Sequence, residues 1–276
     1  MKKMTITIAS CFFIFTAIAQ LKMPQPSPIQ TIKQEFALGS IEVKYSRTAA
    51  KDRKVFGDLV PMNQMWRTGA NGATIVRFTD AVEINGKKVD TGSYALYTIP
   101  GNESWEIILN KGVNNWGIDG YKELDDVLRF KVTPMNVKKK VESITIQIAN
   151  IKPETCEMHI MWEKTAVSIP IKATIKSRIQ AQLEEALKGD KKPYWQAAQF
   201  YNEYDNNPSK ALTNINEAVK ENPKAFWMWL YKAKLEKTLG DKAAAMESSK
   251  TSMQLATEAK NVDYQKMNKD LQKKLK

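Results

Sequence analysis

The stretch Tyr94-Ala95-Leu96-Tyr97-Thr98-Ile99-Pro100-Gly101-Asn102-Glu103-Ser104-Trp105-Glu106-Ile107-Ile108-Leu109 sets two runs of aromatic and branched residues around Pro100-Gly101-Asn102. Such runs favour extended backbone, and a Pro-Gly-Asn cluster favours a turn, so the stretch predicts a β-hairpin. The same reading extends both ways. Upstream, Ile41, Val43 and Tyr45 alternate with polar residues, and Thr74 to Phe78 forms another run. Asn85-Gly86 between Val82-Glu83-Ile84 and the segment from Lys87 is a type I′ hairpin signal, because both central positions need positive φ. Downstream, strands are predicted at Val127 to Val132, Ser143 to Ala149, Glu157 to Glu163 and Ala166 to Lys172, the last two joined by a tight turn near Lys164-Thr165. About eight or nine short strands without intervening helices predict an all-β sandwich over residues 20–173. Gly112 to Asp126, which contains Trp116, reads as a long loop with room for a short helix.

After Ala173 the apolar period changes. Ile175, Ile179, Leu183 and Leu187 recur every fourth residue and Gly189 supplies a stop, so residues 174–276 read as a helical domain. Trp195 and Trp229, Ala211 and Ala245, and Ala218 and Ser252 are each 34 residues apart. That spacing is the tetratricopeptide period, and it predicts two repeats at about 192–225 and 226–259. Gly240-Asp241 fits the turn between paired helices, while Ser249 and Ser252 match the pattern less well. Two repeats are short of a stable stack, so Ala173 to Lys188 and Val262 to Leu275 are expected to cap the ends. On this register Phe200, Trp227, Leu230 and Lys234 face a concave surface that would hold an unidentified protein partner. The competing expectation is that Phe226, Trp227 and Trp229 seal the helices to the β domain.

The amino terminus predicts export. Met1-Lys2-Lys3 precedes an apolar run from Ile6 to Ile18 and the small-residue triplet ending at Ala19, the pattern of a signal peptide (1–19) cleaved after Ala19. No segment has the length of a membrane span. Cleavage would remove Cys11 and leave Cys156 without a disulfide partner, so stability has to come from burial. The net charge of +12 falls to +10 without Lys2 and Lys3. Lysines are interspersed with acids rather than gathered in one arm, so nucleic acid is not an expected partner, and attraction to anionic envelope surfaces is.

The richest polar stretch runs from Arg47 to Asn71. Its guanidinium groups suit carboxylate or phosphate, Trp66 offers a stacking face, and Asn71 both donates and accepts. Arg47, Arg53, Trp66, Arg67 and Asn71 are therefore candidate ligand-binding residues for an anionic or carbohydrate-like molecule. The alternative is structural: the arginines pair with Asp52, Asp58 or loop carbonyls, Trp66 fills the core, and Gly69 and Asn71 make a turn.

Tyr45-Ser46-Arg47, Lys51-Asp52-Arg53, Phe56-Gly57, Trp66-Arg67-Thr68-Gly69-Ala70-Asn71, Gly92-Ser93-Tyr94, Ile99-Pro100-Gly101, Trp105, Asn110 and Trp162-Glu163 together form a signature. The chain from about Pro28 to Ile171 resembles a bacterial family of exported proteins known as domain of unknown function 2911, and departs from its pattern at Thr48-Ala49. The resemblance implies export and the extent of the β domain, with a helical tail often following. It implies no reaction.

Enzyme constellations are poorly supplied. His159 is the sole histidine, which excludes a multi-histidine metal cluster, and strand alternation puts Cys156 and His159 on opposite faces. Asp119, Glu123, Asp125 and Asp126 fit no calcium-loop spacing, and no glycine-rich phosphate loop is present, so neither a metal nor a cofactor is implied. The leading expectation is a binding and interaction protein. A hydrolase or carbohydrate-active enzyme using Glu163 or Asp119 as acid or base is the alternative, and it requires two carboxyl groups facing each other across a cleft.

Overall fold

The computed structural model describes residues 23–276; the expected signal peptide lies outside them. The amino-terminal part is built of two antiparallel sheets and the carboxy-terminal part of six helices. Strands β1 (Ile29–Phe36), β2 (Gly39–Ser46), β3 (Thr74–Phe78), β6 (Gly92–Ile99), β7 (Trp105–Asn110) and β8 (Asp126–Val132) form the larger sheet in the order β1-β2-β3-β6-β7-β8. The smaller sheet has the order β5-β4-β10-β9, from β4 (Val82–Ile84), β5 (Lys87–Val89), β9 (Met135–Ala149) and β10 (Thr155–Lys172).

Alternation along each strand turns one apolar face of each sheet into a shared core. Val43, Val76, Leu96 and Leu109 come from the larger sheet, and Ile144, Ile146, Ile160 and Ile169 from the smaller, all nearly or fully buried. Asn85 and Gly86 carry φ of 50° and 74°, so the β4–β5 hairpin takes its expected turn.

Three expectations for the β region change, the first being that β9 begins at Met135 and not at Ser143. β1 is an additional strand, paired along its whole length with β2. Thr155–Lys172 is one strand, not two joined at Lys164-Thr165. Its residues in the sandwich core run Cys156, Met158, Ile160, Trp162 and then Val167, Ile169, Ile171, an even series followed by an odd one. The slip is absorbed where the register with β9 shifts on either side of Glu163, whose φ is 50°. A bulge inserted there lets both halves keep their apolar side chains on the core.

β9 lies at a free end of its sheet. The segment Thr48 to Ala50 pairs beside Glu142 to Ile144, while Lys138, Lys139 and Lys140 are exposed and have no strand beside them on that side among the described residues.

The helices are α1 (Lys176–Ala186), α2 (Tyr194–Glu203), α3 (Pro208–Glu221), α4 (Phe226–Thr238), α5 (Lys242–Glu258) and α6 (Val262–Leu275). Asn207, Asp241 and Asn261 cap α3, α5 and α6 by accepting from the backbone N–H of Lys210, Ala244 and Tyr264. α2 packs on α3 and α4 on α5, with Ala211 and Ala245 fully buried at equivalent places. Ser249 and Ser252, poor matches to the repeat, have a local reason: buried Asn268 of α6 accepts from Ser249 Oγ at 2.9 Å and donates to Ser252 Oγ at 2.8 Å. At the junction, Glu154 accepts from the N–H groups of Ile175 and Lys176, and Arg178 Nη1 donates to both carboxylate oxygens of Asp80, at 2.9 and 2.8 Å. Ile179 and Tyr204 pack against the β core. Phe226 packs on Tyr264 of α6 and Trp229 joins the α2–α3–α4 core, so neither acts as the seal between helices and sheets.

Candidate functional site

The hexapeptide Trp66 to Asn71 folds back on itself because Thr68 and Asn71 both take positive φ, 54° and 62°. A branched residue in that region is a genuine outlier. Three buried contacts hold Thr68 there: Thr74 Oγ1 donates to its carbonyl at 2.8 Å, and its own hydroxyl lies 3.1 Å from Thr98 Oγ1 and 3.5 Å from the Trp66 carbonyl. Trp66 pairs its backbone with Thr98 and donates Nε1–H to the carbonyl of Gly69 at 3.0 Å.

The Trp66 indole is 8 % exposed. It stacks on Trp162 of β10, with centroids 5.9 Å apart and 21° between planes, and meets Phe56 and Trp105 edge-on at 6.4 Å. This aromatic group takes Trp105 from the larger sheet and Trp162 from the smaller, so it ties them together at one end of the core.

Directly above it is a cleft of about 550 Å³ lined by Arg53, Gln64, Trp66, Arg67, Trp116 and Asp119 among others. Arg53 is fixed by its own loop: Nε donates to Ala50 O at 2.9 Å and Nη2 to Ala49 O at 3.0 Å. Arg67 Nη1 donates to Asn71 O at 3.0 Å. Arg53 Nη1 and both Nε and Nη2 of Arg67 make no hydrogen bond among the described residues, which leaves one donor nitrogen on the first guanidinium and two on the second for a ligand. Anchored forks of this kind lose little entropy when they bind an oxyanion.

The opposite wall comes from the loop between β7 and β8. Trp116 on it is 66 % exposed. Asn110 anchors one end, donating to Lys122 O and Asp126 Oδ1 and accepting from Gly112 N–H. Arg129 anchors the other, bonding Asp126 Oδ2, Glu106 Oε2 and the Tyr121 hydroxyl. Burial, reinforced by the hydrogen bond to Asp126, pushes the Tyr121 hydroxyl up to about 12, so it stays protonated at physiological pH. Asn115 donates to Tyr97 OH at 3.1 Å and is crowded by Gly112 and Gly120, where a Cβ would approach it to 2.3 and 2.9 Å. The loop is therefore held at both ends and in the middle, and the Trp116 indole is presented on a fixed support.

The structure thus brings Arg53, Trp66 and Arg67 together and separates the other two candidates. Asn71 donates to Ser46 Oγ at 3.3 Å and borders a neighbouring cleft. Arg47 turns toward β9, donating to Ile144 O and Thr145 Oγ1. The structural alternative holds for the arginine partners in part, since their hydrogen bonds go to carbonyls and to Thr145 rather than to Asp52 or Asp58. A family described as a protein of unknown function (DUF2911) matches residues 27–171. The chain belongs to the DUF2911 family. No curated protein matches it. Both walls of the cleft, Arg53 to Ala70 and Trp116 to Asp119, fall inside the DUF2911 region. Trp116 was open to sequence reasoning only as a tryptophan stranded in a polar, glycine-rich loop.

Elsewhere in this DUF2911 protein, Glu157 Oε2 sits 2.7 Å from both His159 Nε2 and Ser168 Oγ. The carboxylate occupies the middle of that trio, so His159 does not bridge hydroxyl and acid as nucleophile activation requires. Cys156 is buried, which pushes its thiol up to about 12 and keeps it unreactive. Among the described residues no His, Cys, Asp or Glu cluster suited to a metal is found, and no helix is long and apolar enough to cross a membrane. In the helical part Phe200 is 3 % and Leu230 2 % exposed, packed against Leu183 and beneath α6 respectively. They cannot line a partner surface without unpacking; Trp227, 41 % exposed, and Lys234 remain accessible.

Proposed function

We propose that this chain is an exported binding protein whose β-sandwich cleft takes an acidic carbohydrate and whose helical tail, a short tetratricopeptide-like array, makes protein contacts. The observation that carries the ligand class is the meeting of Arg53 and Arg67 with the exposed Trp116 indole over one cleft. Guanidinium forks match carboxylate, an indole offers a flat apolar face to a sugar ring, and Gln64 and Asp119 add hydroxyl partners. Two guanidinium groups against one carboxylate leave the cleft cationic.

Export is supported by Met1-Lys2-Lys3, the apolar run and the Ala17-Ile18-Ala19 triplet. The repeat assignment is supported by the 34-residue echo and by Ala211 and Ala245 packing at matched places in successive helix pairs. Trp227 and Lys234 are the residues on which a protein partner, or an anionic surface, would bear. Hydrolysis by a carboxylate pair is less well supported: among the described residues lining the cleft Asp119 is the one carboxylate, and Glu163 accepts from Val55 N–H at 3.3 Å.

Calorimetric titration against acidic and neutral oligosaccharides tests the ligand class. Arg53→Ala and Arg67→Ala proteins are expected to keep the wild-type circular dichroism spectrum and lose affinity for the acidic sugars. Equal affinity for acidic and neutral sugars would reject the anionic requirement.

A further inference from the structure

Trp116 borders a second cleft as well as the first. That cleft, of about 540 Å³, is lined by Ile29, Lys44, Asn71, Ile75, Asn115 and Trp116 among others. The two clefts lie along the same pair of chain segments. Residues 71–73 with 113–116 bound one, and residues 66–70 with 116–119 bound the other. Two close approaches join these segments, Ala73 N–H to Asn115 O at 3.4 Å and Arg67 Nη1 against Gly117. They fall on either side of Trp116 in the chain, and the indole, largely exposed, is common to both clefts.

Each cleft alone is within the range of a small-molecule site, about 300–1,000 Å³. A single sugar ring would occupy one and leave the other empty. The second cleft repeats the chemistry of the first: a cation in Lys44, an amide in Asn71, and an apolar surface from Ile75 and the shared indole.

We infer that the two clefts are adjoining subsites of one groove, with Trp116 between them, and that the ligand is a linear chain of acidic sugar rings spanning both. This rests on the acidic-carbohydrate reading of the first cleft. A chain that engages both subsites gains affinity because the second contact becomes intramolecular.

Linear galacturonate oligomers of one to six rings, titrated calorimetrically into the full-length mature protein, test the inference. Affinity is expected to rise at least about tenfold from one ring to four and then level off. Lys44→Ala should weaken the longer oligomers and leave the single ring unchanged, and Trp116→Ala should flatten the length dependence with the fold intact by circular dichroism. A single ring binding as tightly as four overturns the two-subsite groove and leaves the single-cleft reading standing. An unchanged length dependence in both variants also overturns it. Absence of binding at every length overturns both readings together.

Discussion

The Arg67 guanidinium lies against Gly117 so closely that a Cβ added to the glycine would stand 2.7 Å from Nη1. Gly117 also has φ of 67°, a conformation that side chains disfavour. The contact joins the hexapeptide to the loop carrying Trp116; the positive φ is what calls for glycine, and a Cβ would in addition displace the flexible end of Arg67. Gly117→Ala should cost about 1–2 kcal/mol in chemical denaturation and shift the tryptophan emission as Trp116 moves. Removing the Arg67 side chain in the same protein should recover part of that cost, because only the backbone penalty would remain.

Trp66 and Trp116 flank the same cleft and should behave oppositely. Trp66 is buried in the aromatic group with Phe56, Trp105 and Trp162. Trp66→Ala should lose about 3–5 kcal/mol of stability, a large share of what a domain has. Trp116→Ala should stay within about 0.5 kcal/mol of wild type, because its indole is already in water. Urea unfolding of the two variants side by side separates a packing tryptophan from a presenting one.

Acid sensitivity should have a local source at Glu157. Hydrogen bonds from His159, then Ser168 and Asn150, hold its carboxyl down at about 2 from an ordinary 4.5. A depressed carboxyl adds stability that is complete above its unfolded value and is lost as pH falls through the folded one. Stability should therefore decline between about pH 4.5 and pH 2, and Glu157→Gln should make that limb shallower. Equal slopes for the two proteins in denaturation midpoints measured across that range would remove Glu157 from the account.

The last helix should act as a structural lid on the helical part. α6 buries Leu271 and Leu275 against Leu230, Ala233 and Ala245, and its Asn268 serves Ser249 and Ser252. A chain ending at Lys260 should melt roughly 5 °C or more below the full chain, from the exposed leucines alone. Melting at the same temperature would show that α5 can stand uncovered.

What was legible in the sequence was local. Asn85-Gly86 announced its hairpin because few residues take positive φ twice in succession, and Gly240, with φ of 90°, marked the turn between α4 and α5. β1 escaped because Gln30, Thr31, Lys33, Gln34 and Glu35 leave little apolar alternation on a strand at the sheet's edge. The bulge at Glu163 escaped because a slip of one residue in the apolar pattern looks the same as a break between two strands. The cleft was half legible. The arginines and Trp66 are near neighbours in the chain, but nothing in their spacing reveals that a loop some fifty residues later returns to face them. Arg47 diverged from them because the end of β2 brings it beside β9.

The lysine triplet of β9 bears on how copies of this chain can meet. An uncovered strand end is a template on which another chain's backbone can add, and long apolar ones seed fibrils. Here an incoming β9 from a second copy would align Lys138, Lys139 and Lys140 against a like-charged run while finding the neighbouring Glu142 to Ile144 positions already taken by Thr48 to Ala50. Strand-to-strand growth is thereby disfavoured at the very place where the longest pair of strands among the described residues would otherwise invite it, and crowding need not convert this protein into an aggregate.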